Sequence, residues 1–155
     1  MKKIKKYSIV VIICLLFNSS TCTLQYYTIT VHNNTNHNIS VLVSLGNPLY
    51  PDTLLPVPEH FSRINPIRPG VTASVVPIET SFKQFIQFYG SDTIIIFIFH
   101  TDTLNKHTWD EIREGYKILK RYDISWQEME ELNGMISYPP TEAMRNIRQF
   151  PPFGQ

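Results

Sequence analysis

Thr93 to Phe99, Thr-Ile-Ile-Ile-Phe-Ile-Phe, constrains the fold more than any other stretch of the 155 residues. Every residue in it is β-branched or aromatic, which favours extended backbone, and the run leaves no polar side to turn toward water. It is also short for a buried helix. The segment therefore predicts a central strand, covered on both sides, with the rest of the chain supplying strand neighbours and two covering layers.

Upstream, Tyr26 to Val31 alternates as Tyr-Tyr-Thr-Ile-Thr-Val, His32 to Asn38 is almost all turn-forming, and Ile39 to Ser44 alternates again. That order predicts a hairpin of two antiparallel strands, with the asparagines tolerating left-handed backbone in the reversal. Asn33-Asn34-Thr35 and Asn38-Ile39-Ser40 match the N-glycosylation pattern but read as turn chemistry. Between residues 46 and 70 six prolines remove backbone donors and fix φ, so neither a helix nor a central strand can run through. Leu54, Leu55, Val57, Phe61 and Ile64 make this stretch too apolar for disorder, and it is expected to form an ordered flap, either an edge cover or a binding lip.

Val71 to Val76 predicts a third strand, and Phe82, Phe85, Ile86 and Tyr89 recur at helical spacing, with Thr80 or Ser81 as cap and Gly90 as stop. Thr108-Trp109-Asp110-Glu111 and Ser125-Trp126-Gln127-Glu128 are two capping boxes of the same form. The first opens a helix expected to carry Trp109, Ile112, Tyr116 and Leu119 on one stripe and to end with Lys117, Lys120 and Arg121 near its negative pole. Arg121-Tyr122-Asp123 is expected to form a joint to the second helix, with Arg121 closing on Asp123 or on the last carbonyls of the first helix; Asn133-Gly134 stops the second helix, and Met135 to Tyr138 adds a last strand. Residues 139–155 form a Pro-rich C-terminal segment bracketed by Tyr138-Pro139-Pro140 and Phe150-Pro151-Pro152. Together these elements predict an α+β fold: a single domain with a mixed, mostly antiparallel sheet of about five strands and two to four short helices mainly on one face.

The N-terminus carries a different kind of signal. Lys2, Lys3, Lys5 and Lys6 precede an apolar run from Tyr7 to Phe17 and a short polar stretch ending at Cys22. These are the three parts of a secretory signal, and the run falls short of the ~20 residues a spanning helix needs. Residues 1–21 are expected to be a signal peptide and 22–155 the exported domain. Cys22 follows the run closely enough to be a lipid-modified, palmitate-bearing first residue, although Ser19-Ser20-Thr21 departs from the usual lipobox; ordinary cleavage near Ser20 to Cys22 is the alternative. Removing four lysines leaves 10 basic residues against 13 acidic ones, a net formal charge of −3. A mildly acidic domain without a Lys/Arg block is a poor partner for nucleic acid, and membrane contact is expected only through a lipid anchor at Cys22. Since Cys14 and Cys22 are the two cysteines, the folded part has no thiol for disulfides or catalysis.

The segments Ile95-Ile96-Phe97-Ile98-Phe99-His100-Thr101-Asp102-Thr103-Leu104, Trp109-Asp110-Glu111-Ile112-Arg113, Ile118 to Ser125 and Tyr138-Pro139-Pro140 resemble small exported envelope proteins of Bacteroidetes-type bacteria, many of them lipoproteins and without a known activity. The resemblance implies export and carries no catalytic residues. Asp52-Thr53-Leu54, Asp92-Thr93-Ile94 and Asp102-Thr103-Leu104 share a form similar to the acceptor motif for protein O-glycosylation in such bacteria, with Thr53 and Thr103 the better candidates because Thr93 opens the central strand.

Chemistry-bearing residues are sparse. His100, Asp102 and His107, two imidazoles and a carboxylate at the end of the central strand, are the weak candidates for a metal or acid-base site, but their spacing matches no established motif. No Gly-rich phosphate loop or Gly-x-Ser-x-Gly turn is present. No cofactor is expected. The leading expectation is a non-enzymatic cell-envelope binding protein whose partner is an envelope protein or glycan. An immunity or inhibitor protein of the envelope is a narrower version, and a small hydrolase or metal enzyme centred on His100 is the competing class. A cleft with convergent His, Asp or Glu would favour the enzyme; an apolar patch would favour binding.

Overall fold

The computed structural model describes residues 27–44, 55–56, 61–63 and 66–155. Residues 1–21, expected to be a signal peptide, and the candidates Cys22 and Thr53 lie outside them. Among the described residues, eight strands and four short α-helices follow in the order β1 (Tyr27–Asn33), β2 (Ile39–Ser44), β3 (Phe61–Arg63), β4 (Thr72–Ile78), α1 (Phe82–Phe88), β5 (Thr93–His100), α2 (Thr101–Lys106), α3 (Trp109–Glu114), β6 (Lys120–Ser125), α4 (Trp126–Glu131), β7 (Met135–Tyr138) and β8 (Arg148–Phe150), with a 3-10 turn at Glu142–Met144 before β8. The class is α+β in one domain, with antiparallel pairing throughout except where β7 runs parallel to β1.

The strands divide between two sheets, of order β4-β1-β7 and β3-β2-β5-β6-β8. β5 lies at the centre of the larger sheet, and Ile94 through Phe99 are all buried, as the apolar run predicts. Its side chains alternate between two cores. Ile94, Ile96 and Ile98 join Val41, Val43, Tyr122 and Ile124 against the smaller sheet, α1 and α4. Ile95, Phe97 and Phe99 join Leu42, Leu55 and Ile112 on the opposite face, under Trp109, Tyr116 and Leu104 of the α2 and α3 region. The helices are thus shared between the two sides of the sheet, which is why the central strand has no polar face.

Two elements depart from the sequence reading. β1 and β2 do not form a hairpin: β1 pairs with β4 and β7, whereas β2 pairs with β3 and β5. The asparagine-rich turn is a corner between sheets. Buried Asn33 closes it, its Nδ2 donating to the His37 carbonyl at 2.8 Å and the Ile67 carbonyl at 2.9 Å while Oδ1 accepts from Thr35 N and Oγ1. Such side-chain bonds satisfy a reversal whether or not the flanking strands meet.

The helix opened by Thr108 is also shorter than predicted. It ends at Glu114, Tyr116 takes a left-handed φ of 44°, and Lys120–Ser125 is a strand beside β5, not a helix end and joint. Both capping boxes are formed as predicted, with Glu111 and Glu128 accepting from the cap amides at 2.8 Å each. The stop at Asn133-Gly134 also forms: Asn133 has φ 49° and Gly134 φ 71°. A Cβ on Gly134 would collide with the Thr28 carbonyl and the Phe82 ring, so glycine is required there by space as well as by φ.

In the Pro-rich stretch, Leu55 is fully buried in the second core, and its carbonyl accepts from Arg113 Nε at 3.2 Å. Pro56 O accepts from the Trp109 indole at 3.2 Å. Ile67 is buried and bridges to Ile39.

Candidate functional site

At the end of β5 the three residues of the acid-base candidate take separate partners. His100 caps α2, its Nδ1 accepting from the Asp102 amide at 3.2 Å, and its ring stacks on His37 with centroids 4.5 Å apart. Asp102 turns to Lys106, 3.9 Å away on the same helix. His107 Nδ1 lies 3.6 Å from Glu111 and 3.5 Å from Lys117 Nζ. Glu111 is itself a cap: the Thr108 amide and then its hydroxyl hold its carboxyl below the usual carboxylate range. Among the described residues, no group of three His, Cys, Asp or Glu is arranged to hold a metal ion. Thr103 is half-buried inside α2, and Thr93, also half-buried, donates its hydroxyl to Asp92 at 2.9 Å.

Charge is concentrated unexpectedly on β6. Lys120 and Arg121 are only 2% and 1% exposed. The Arg121 guanidinium makes a two-pronged contact with Asp123, Nε to Oδ1 at 2.6 Å and Nη2 to Oδ2 at 2.9 Å, and sits 5.7 Å from the Phe97 ring centroid. Arg148 approaches the same carboxylate from β8 at 3.6 Å. On the other face Lys120 Nζ donates to the Pro151 and Pro152 carbonyls, and burial lowers its pKa. These charges stitch the C-terminal segment to the sheet edge. The acids around a shallow groove of ≈ 370 Å³ near Asp123, Glu128 and Arg148 are engaged separately: Asp123 is held by Arg121, Glu128 by the Ser125 cap, and Asp92 accepts from the Thr93 hydroxyl.

The most open chemistry lies on α1. Ser81 caps this helix, accepting from the Gln84 amide, and Phe82 and Ile86 bury its inner face. Phe82 meets the Tyr27 ring edge-on at 5.0 Å, tying α1 to the start of β1. On the outer face Phe88 is 83% exposed and Tyr89 41%. Tyr89 makes T-shaped contacts with Phe85 at 5.4 Å and with Phe88 at 5.3 Å. The three rings wall a groove of ≈ 480 Å³ whose other side is formed by Pro77, Glu79 and Thr80 at the end of β4.

The sequence reading placed Phe85 and Tyr89 on the buried stripe and did not use Phe88. The available signal was Phe88 itself, an aromatic residue off the stripe set by Phe82, Ile86 and their neighbours, on a face that should be polar.

Compared with known proteins, the chain matches no family model, no curated protein and no solved structure. No helix among the described residues is long and apolar enough to cross a membrane.

Proposed function

We propose that the protein is a non-enzymatic binding module of the cell envelope that docks a partner through the aromatic lip of α1. The observation that carries this reading is Phe88, a large apolar side chain 83% exposed on the rim of a groove. Holding a phenyl ring in water forgoes about 1.5–3 kcal/mol of burial, and aromatic residues concentrate at the energetic centres of protein interfaces. His100, Asp102 and His107 support the same conclusion by being engaged separately, His100 as a helix cap, Asp102 with Lys106 and His107 beside Glu111.

Photo-crosslinking in cells tests the interface. With benzoylphenylalanine at position 88, a discrete adduct is expected that is absent when the probe sits at exposed Gln127. The same adduct pattern at both positions would overturn the assignment.

Envelope location rests on the N-terminal signal and is tested separately. Wild-type protein is expected to incorporate palmitate and fractionate with membranes, whereas Cys22→Ala remains unlabelled. Equal labelling of the two, or a wholly soluble wild type, would remove the lipid anchor. A wild type retained in the cytoplasm would remove the envelope reading itself.

A further inference from the structure

We infer that the groove of α1 is a receptor for a cationic side chain, an arginine presented by a basic protein partner. The inference rests on the reading of the lip as a partner interface and specifies its chemistry.

The first argument is the character of the walls. Three aromatic rings carry negative π faces, and each T-shaped contact among them consumes one ring edge and one ring face. The two contacts leave other ring faces open, above all on Phe88, which is the most exposed of the three and lines the groove. The acidic side chain in the lining is Glu79, and among the described residues neither lysine nor arginine contributes to it. Glu79 makes no ion pair among the described residues. The neighbouring cation on α1, Lys83, is directed to the other side, over the Trp126 ring of α4 at 4.9 Å. A concave site with π faces and an unpaired carboxylate is complementary to a cation, each favourable ring contact contributing about 0.5–2 kcal/mol as it is desolvated.

The second argument selects among cations. A guanidinium stacks flat on an aromatic face while its fork of donors reaches acceptors in its own plane, and it is less strongly hydrated than an ammonium. Glu79 supplies such an acceptor, with Thr80 and Gln84 beside it. The same polar wall disfavours a lipid surface, since an ionised carboxylate would be carried into the interface without a partner. Once the N-terminal lysines are removed, the formal net charge of −3 on residues 22–155 would add long-range attraction for a basic protein.

The test is an NMR titration of the purified full chain with acetyl-Ala-Arg-Ala-amide and with the same peptide carrying citrulline, which keeps the shape of arginine and lacks its charge. The arginine peptide is expected to shift the ring signals of Phe85, Phe88 and Tyr89, saturably and at least ~10-fold more tightly than citrulline. Glu79→Gln should weaken it about 5-fold or more, and Phe88→Ala should abolish the ring shifts. Both substitutions are at exposed positions, so thermal unfolding of each variant should stay close to wild type.

Equal affinity for the two peptides, an unchanged Glu79→Gln variant, or shifts spread over the acidic surface would each overturn the inference. So would ring perturbation by phosphatidylcholine vesicles and not by the arginine peptide. Should position 88 cross-link a partner while the arginine peptide fails to bind, the interface stands and the cation falls. Should position 88 yield no specific adduct, the interface reading fails first.

Discussion

Replacing Ile96 with aspartate is expected to abolish folding. Ile96 is fully buried at the middle of β5, opposite Val43 on one side and Tyr122 on the other, on the face shared with the smaller sheet. A carboxylate there would lose its water without gaining a partner, at an effective cost of several kcal/mol, and the isoleucine's own burial would be forfeited as well. Domains of this size have only about 5–15 kcal/mol of stability in total. Ile96→Val, which keeps shape and polarity, should cost about 0.5–1.5 kcal/mol. Circular dichroism and urea denaturation measure both. A cooperatively folded Ile96→Asp variant with a midpoint near wild type would mean that β5 is not the core strand.

Asp123→Ala is expected to be nearly as damaging, for an electrostatic reason. Arg121 is 1% exposed and its fork is closed on the Asp123 carboxylate. Removing the carboxylate leaves a positive charge inside the second core without its counterion, a change that costs about 3–5 kcal/mol for a buried pair. Arg121→Met should cost less, because Asp123 lies nearer the surface and retains Arg148 at 3.6 Å. Converting both, Arg121→Met with Asp123→Ala, should recover most of the loss, since neither charge is then left to pair. The measurement is a double-mutant cycle by chemical denaturation. Additive effects, with Asp123→Ala within about 1 kcal/mol of wild type, would show the pair to be energetically idle.

Much of the local structure was legible because its causes lie within a few residues. The two capping boxes form between a hydroxyl and a glutamate three positions on, and both are present as read. The stop at Asn133-Gly134 reflects which residues tolerate positive φ. For the candidate site, the ends of α1 and its inner face could be read from Ser81, Gly90, Phe82 and Ile86. The outward face of Phe88 was equally available, as a violation of helical amphipathicity.

β6 was not legible for the opposite reason. Lys-Arg-Tyr-Asp-Ile-Ser has the polarity of a helix end or linker; closure of Arg121 on Asp123 could be read from it, but nothing within it reveals that the pair lies buried on a strand while Lys120 finds the carbonyls of Pro151 and Pro152 some thirty residues away. Pattern reading takes charge as a mark of exposure; pairing removes that mark, and pairing is a property of three-dimensional neighbours.

By itself the sequence determined an α+β domain built around Thr93 to Phe99, because a run of β-branched and aromatic residues with no polar face permits no exposed placement. The N-terminal order of lysines, apolar run and short polar stretch is also a feature of sequence alone, and the export proposed from it awaits the fractionation experiment. Tertiary structure decided that the strands divide into two sheets, that β1 and β2 part at the Asn33 corner, and that the groove forms where the end of β4 meets α1. Turn chemistry satisfies the same donors and acceptors in a hairpin and in a corner, so the choice between them falls to the non-local packing of buried faces, which no window of sequence contains.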